Sequence, residues 1–357
     1  MERYIGLDPH GTSCTFAVIG PSGRKLRHDV VETNGAALVD FLRSIPGRKH
    51  LCLEEGTQSA WLYEILSPHV KEIVVAGVGE SRGQKSDLID AYRRAEELRT
   101  GTIKMPVFKA PRLYSRLREL GRVHSMLVRD VVRVQARLKA MYRARGIATP
   151  GKSVYGPSQR DRWLQQLPVS ARWATEKLHE EYDLLVELKR EAEHELVAES
   201  RKHRIARVLA TAPGLGPIRV AQLLPIVITP QRFRTRSQFW AYCGLGIVMR
   251  SSSDWVQSPN GGWMRAQVQR TRGLSRNHNS SLKNIFKGAA TTVVTKLHTD
   301  PLYEHYMQLT SAGTKPNLAK LTIARRIAAI VLRMSKDEEE YDPGKLKPKQ
   351  EVATAAR

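Results

Sequence analysis

The sequence predicts an α/β domain, then a coiled-coil helical hairpin, then a mainly α-helical C-terminal domain. Three observations carry this reading. Short apolar runs come first and then alternate with helical segments over the first hundred residues. An apolar heptad seam follows beyond residue 110. Apolar helices separated by glycine-rich turns make up most of the rest. The divisions fall at 1–108, 109–200 and 201–336, and the Glu-, Lys- and Pro-rich stretch 337–357 reads as a disordered tail.

In the first division, Tyr4–Leu7 is an apolar run ending at Asp8, and Cys14–Ile19 is a second strand. Gly20-Pro21-Ser22-Gly23 is a hairpin turn that returns Lys25–Val31 against it. A helix over Gly35–Arg43, a strand at Leu51–Leu53, a helix over Ser59–Pro68 and a strand at Glu72–Val75 complete a mixed sheet covered by helices. The hairpin rests on Leu113, Leu117, Leu120, His124, Leu127, Val131, Val134, Leu138 and Met141, spaced by threes and fours. Its second helix carries Leu178, Tyr182, Leu185, Leu188, Ala192 and Leu196. The first helix has basic flanks and the second acidic ones, a pattern that favours antiparallel pairing or pairing between subunits. His124 reads as a packed polar residue of the seam. A last helix over 317–335 turns Leu318, Leu321, Ala328, Val331 and Leu332 inward.

Charge narrows the partner. Lys and Arg number 58 against 35 Asp and Glu, a formal net charge of +23. Such an excess points to nucleic acid, because each cation placed near a phosphate releases counterions. The three cysteines, Cys14, Cys52 and Cys243, are widely spaced and form no zinc module, which fits a reducing compartment. The sequence lacks a signal-like N-terminus and a membrane-length apolar run, so a cytoplasmic protein is expected.

The chemistry-bearing residues begin with the acids. Asp8 ends the first strand, Glu54 and Glu55 end a later one, and Asp87 and Asp90 open a helix on one face. A sheet brings strand ends together, and hard oxygen ligands suit Mg²⁺, which assists phosphodiester chemistry.

The order Asp, Glu, Asp-x-x-Asp on this strand pattern resembles the RNase H-like, RuvC-type fold. More narrowly, it resembles the insertion-sequence transposases with an N-terminal DEDD domain, the bridge-RNA-guided recombinases. The resemblance rests on Tyr4–His10, on Leu53–Thr57 through Trp61-Leu62-Tyr63, and on Lys85–Ala91. It implies Mg²⁺ on Asp8, Glu55, Asp87 and Asp90. Spacing to Trp61 favours Glu55, and position directly after the apolar strand favours Glu54, which stays in the ligand set as the alternative. The sequence departs from the family pattern at Gly11, where a nearby Lys is usual, and at Leu88, where Arg is usual.

Downstream, Gly214 and Gly216 precede an apolar helix from Ile218. Such a turn lets backbone N–H groups reach a phosphate, as in a helix-hairpin-helix element, or is simply tight. The later segment holds Gly244-Leu245, Arg250, the run Ser251-Ser252-Ser253, Asp254, Arg272, Arg276 and Asn279, which is phosphate-contact chemistry. Counted from Gly244-Leu245, the resemblance places a nucleophilic serine at Ser252, with Ser251 and Ser253 beside it. It implies a transposase acting as a site-specific recombinase through a covalent phosphoserine. It further implies DNA and a structured guide RNA as partners, a homo-oligomer (dimer or tetramer) and association with the nucleoid. The alternative is a Holliday-junction-resolvase-like nuclease that uses the carboxylates and water, with no covalent intermediate.

Overall fold

The computed structural model describes residues 1–77, 86–110, 112–249, 255–265, 271–275 and 277–346, and divides into two compact units, Met1–Leu113 and Tyr114 onward. The first unit contains β1 (Glu2–Pro9), β2 (Ser13–Ile19), β3 (Lys25–Glu32), α1 (Gly35–Ser44), β4 (Arg48–Glu54), α2 (Ser59–Leu66), β5 (Glu72–Ala76), α3 (Asp87–Thr100) and β6 (Pro106–Val107). One six-stranded sheet runs in the order β3-β2-β1-β4-β5-β6. Strands β1, β4 and β5 are parallel, and β2, β3 and β6 pair antiparallel to their neighbours. This mixed sheet is compatible with an RNase H-like domain. All five strands expected from the apolar runs are present. Strand β6 was not foreseen, because two residues carry no period.

Local chemistry sets the elements. Gly23, at φ +83°, and the bond from Gly20 N–H to Arg24 O close the β2–β3 turn. The Asn34 side chain caps α1 by accepting from Ala37 N–H, and Ser86 caps α3 by accepting from Ile89 N–H. Side chains alternate across the sheet. Ile5, Leu7, Leu51 and Leu53 enter the core with Leu38, Phe41 and Leu42 of α1 and Leu62 and Leu66 of α2. The opposite face carries Gly6, and α3 packs against it. A Cβ on Gly6 would overlap the Ala91 carbonyl oxygen and lie 2.7 Å from Ala95 N. This glycine therefore allows α3 to dock tightly on β1.

The second unit contains α4 (Ser115–Arg143), α5 (Arg160–Gln165), α6 (Val169–Arg201), α7 (Arg204–Ala210), α8 (Pro217–Val227), α9 (Arg236–Tyr242), α10 (Ser280–Lys296), α11 (Pro301–Ser311) and α12 (Pro316–Asp337). Four short strands lie between α9 and α10: β7 (Ile247–Met249), β8 (Trp255–Gln257), β9 (Trp263–Arg265) and β10 (Thr271–Leu274). Helices α4 and α6 run antiparallel. Arg116 reaches Glu195 and Glu199, His124 reaches Glu193, and Arg137 reaches Glu181, so positions fall along α6 as they rise along α4. The opposite-charge flanks thus pair as their sequence pattern suggests.

The α4 seam is buried at Leu117, His124, Val131, Val134 and Leu138. Leu113 precedes the helix and is exposed. On α6 the buried positions are Ala171, Thr175, His179, Ala192, Leu196 and Ser200, and Leu188 is exposed. A 33-residue helix drifts away from a strict heptad, which shifts the contact face between its two ends.

The division at residue 200 does not separate two bodies. Leu117 and Leu196 share one apolar core with α7 to α10 and α12, and His124 Nδ1 lies 3.0 Å from Gln222 Nε2 on α8. Helix α12 buries Ala319, Ile323, Ala324, Ile327, Ala328, Val331 and Leu332. Leu318 is 55 % exposed, contrary to the inward position expected for it in the first turn. The tail also begins later than expected. Tyr341 packs on the core, bonds Asp300 through its hydroxyl and donates its N–H to Thr211. Residues 347–357 lie outside the described residues. Among the described residues, no helix is long and apolar enough to cross a membrane.

Candidate active site

The carboxylates of the first unit are placed by sheet register. Strands β1 and β4 are parallel with Leu7 opposite Leu53, so the next pair in register is Asp8 and Glu54, on one face. That face is the one covered by α3. Ala91 meets Gly6, and Asp87 lies one helical turn earlier, toward the strand end that carries Asp8. Ligand atoms of Asp8, His10 and Asp87 accordingly lie within 4.8 Å of one another. His10 Nε2 is 3.4 Å from both Asp8 Oδ2 and Asp87 Oδ1. Asp90 is on the same helix and pairs with Arg93 at 2.6 Å.

Electrostatics ties the set together. Burial pushes the Asp8 carboxyl above the usual carboxylate range. His10 opposes the shift, while the charges of Asp87, Asp90 and Glu54 add to it. Mutual repulsion among carboxylates beside a half-buried one is relieved by a bound cation. The donor set fits a divalent ion: oxygen ligands suit Mg²⁺, and an imidazole nitrogen also suits Mn²⁺ or Zn²⁺.

Glu55, favoured by its spacing to Trp61, does not join this group. Its carboxylate bonds Lys109 Nζ at 2.6 Å and Ser59 Oγ at 3.1 Å, on the side of α2. Trp61 is on the same helix, so the spacing to it reports the α2 face and not the α3 face. Glu54 instead meets Arg94, a buried guanidinium of α3 that also holds Glu97 at 3.0 Å. His10, Arg94 and Lys109 were not singled out from the sequence. For His10 the signal was available: it follows Asp8 by two residues, just past the end of β1. For Arg94 and Lys109 there was none, since their partners are distant in the chain.

In the second unit, Gly214 lies in the turn between α7 and α8 at φ +73°, and a Cβ there would overlap the Ala289 carbonyl oxygen of α10. Arg219 donates to Gly214 O at 2.8 Å and to Thr292 Oγ1 at 3.1 Å. Gly214 is therefore held by packing. Gly216 is the N-cap of α8, and among the described residues no heavy atom lies within 4 Å of its Cβ position. Asn279 caps α10, accepting from Leu282 N–H at 3.0 Å. Arg272 lies in β10. Arg250, Ser251, Ser252, Ser253, Asp254 and Arg276 lie outside the described residues. Strands β7 and β10 pair antiparallel, with Met249 opposite Thr271.

Comparison with known proteins gives two matches. Residues 5–144 match the DEDD transposase model of the IS110 type, and residues 206–307 match the transposase IS116/IS110/IS902 family. No curated protein matches. The first match contains Asp8, Glu54, Glu55, Asp87 and Asp90, and the second contains the serine run and Asn279. The chain thus carries two IS110-family transposase domains in succession, which supports an insertion-sequence transposase, an enzyme that cuts and rearranges DNA.

Proposed function

We propose that this transposase is a site-specific recombinase in which Asp8, Glu54, Asp87 and Asp90 hold Mg²⁺ and Ser252 attacks DNA. The observation that carries the metal half is the meeting of Asp8, His10 and Asp87 within 4.8 Å, beside carboxylates that raise the Asp8 pKa. Glu54 shares the face of Asp8 by register, which supports it over Glu55 as the fourth carboxylate. A bound divalent ion would draw charge from the phosphate and favour the ionised serine hydroxyl.

In the cutting step, the serine oxygen bonds to phosphorus, the bond from phosphorus to the 3′ oxygen breaks, and the 3′ oxygen leaves as a hydroxyl after taking a proton. The serine proton passes to a base of the site. Energy stays in the phosphoserine ester, so a 3′ hydroxyl can later displace the serine and reseal the strand without ATP. We assign the basic surfaces to DNA and to a structured guide RNA, in keeping with the net charge of +23. The α4–α6 pair is read as the coiled coil that builds a dimer or tetramer.

The test is trapping of protein–DNA adducts under denaturing conditions, with the wild type and Ser252→Ala compared. An adduct in the wild type that is lost with strand cleavage in the variant is the expected result. Undiminished cleavage by Ser252→Ala would instead point to a water-using nuclease.

A further inference from the structure

We propose that the β8–β9 ribbon is a base-stacking platform for an unpaired stretch of the DNA strand beside the cleaved phosphodiester. The placement next to the cut rests on the serine reading above. The stacking itself does not.

The ribbon is an antiparallel pair with Trp255 opposite Arg265, Val256 opposite Met264 and Gln257 opposite Trp263. Alternation puts Trp255, Gln257 and Trp263 on one face. The two indoles are diagonal neighbours across the strands, a separation of roughly 7–8 Å. That is about twice the 3.4 Å stacking step of a nucleic-acid strand, which leaves room for one base between the rings. Trp255 is 60 % exposed and Trp263 is 70 % exposed. Val256 and Met264, on the other face, are exposed as well. Turn chemistry holds the ribbon: Ser258 N–H bonds Gly262 O at 2.6 Å, and Gly261 takes φ +83°.

Such a ribbon buries neither face, and a lone two-stranded hairpin is marginally stable in water. Its exposed tryptophans therefore call for a partner. Charge selects among partners. Between Ile247 and Arg276 the sequence holds five arginines, Arg250, Arg265, Arg270, Arg272 and Arg276, against one acid, Asp254. A second copy of the same segment would be repelled, whereas a polyanion is attracted. Exposed aromatics in an arginine-rich stretch of sequence are the recognition chemistry of unpaired bases, since every base has a π-face to stack. A paired duplex hides those faces. The chain then decides between DNA and RNA. Trp255 follows Ser253 by two residues, which span at most about 7 Å of extended chain. The chain thus tethers the Trp255 backbone within about 7 Å of the Ser253 backbone, so the ribbon adjoins the strand that the serine run would attack, and that strand is DNA. Cutting and exchanging strands unpairs bases at this point, and the platform would hold them apart.

The experiment uses the full chain with fluorescein-labelled single-stranded dT12, the matching duplex and rU12, read by anisotropy at fixed salt. Trp255→Ala and Trp263→Ala should each weaken dT12 binding about fivefold or more, and Trp→Phe at either site should retain most of it. Duplex affinity should stay within about twofold, because phosphate contacts are untouched. The same losses are expected in a Ser252→Ala background. Failure of the serine chemistry alone therefore leaves this result standing. Unchanged dT12 affinity in the double variant, with native circular dichroism, would overturn the proposal. So would an equal loss on duplex, or tighter and equally Trp-dependent binding of rU12, which would assign the platform to RNA. A fall in oligomer size in the double variant by sedimentation would assign it to self-association.

Discussion

Gly6→Ala tests the link between fold and site. A methyl group at this position would lie 2.7 Å from Ala95 N and 2.8 Å from the Ala91 carbonyl carbon, and would overlap the Ala91 oxygen. These are backbone atoms of α3, so no rotamer change relieves the clash, and the helix must retreat from β1 by roughly an ångström or more. Overpacking of this kind costs about 1–3 kcal/mol. Reduced freedom of the unfolded chain returns about 0.4–1 kcal/mol. A net loss of about 1.3 kcal/mol shifts the urea midpoint of the first unit down by about 0.6 M, at a slope of about 2 kcal/mol/M. The retreat also moves Asp87 away from Asp8 and His10, so calorimetric titration with Mn²⁺ should show weakened binding. Gly11→Ala is the control, since among the described residues no heavy atom lies within 4 Å of its Cβ position, and its effect should stay within about 0.5 kcal/mol. Gly6→Ala with the wild-type midpoint and wild-type Mn²⁺ affinity would refute the proposed role of this close approach.

Asp8→Asn should stabilise the metal-free protein at neutral pH while abolishing its stabilisation by Mg²⁺, as read by thermal unfolding with and without the ion. The sign follows from the raised folded-state pKa of Asp8. The unfolded state loses this proton first, so wild-type stability falls as pH rises from about 3.8 toward the raised value, and Asp8→Asn should remove that fall. Gly214→Ala combines an overlap with Ala289 and a left-handed φ, and should cost about 2–4 kcal/mol in the transition of the second unit, read by denaturant unfolding.

The sheet was legible because its strands are short apolar runs bounded by turns, and their chain order carried the topology. The position of Asp8 near the end of β1 was legible for the same reason, and the i, i+3 spacing of Asp87 and Asp90 on α3 was legible from helical periodicity. The faces taken by Glu54 and Glu55 were not, because they follow from the parallel pairing of Leu7 with Leu53 across 46 residues of chain. Local spacing to Trp61 pointed toward α2, whose first residue, Ser59, does bond the Glu55 carboxylate. Leu318 and Leu188 looked inward by period, yet the ends and middles of helices face solvent wherever no neighbour covers them. Strands β7 to β10 escaped notice because three or four residues are too few to show alternation.

The most direct test compares Glu54→Gln with Glu55→Gln in Mg²⁺-dependent excision of the insertion element's own ends from a plasmid. Loss of a ligating carboxylate should lower excision by about 100-fold or more. Glu54→Gln should show that loss, together with weakened Mn²⁺ binding, while Glu55→Gln, which breaks only the bonds to Lys109 and Ser59, should keep both within several-fold. The reverse pattern, with Glu55→Gln inactive and Glu54→Gln active, would contradict a metal site built on the α3 face of the sheet.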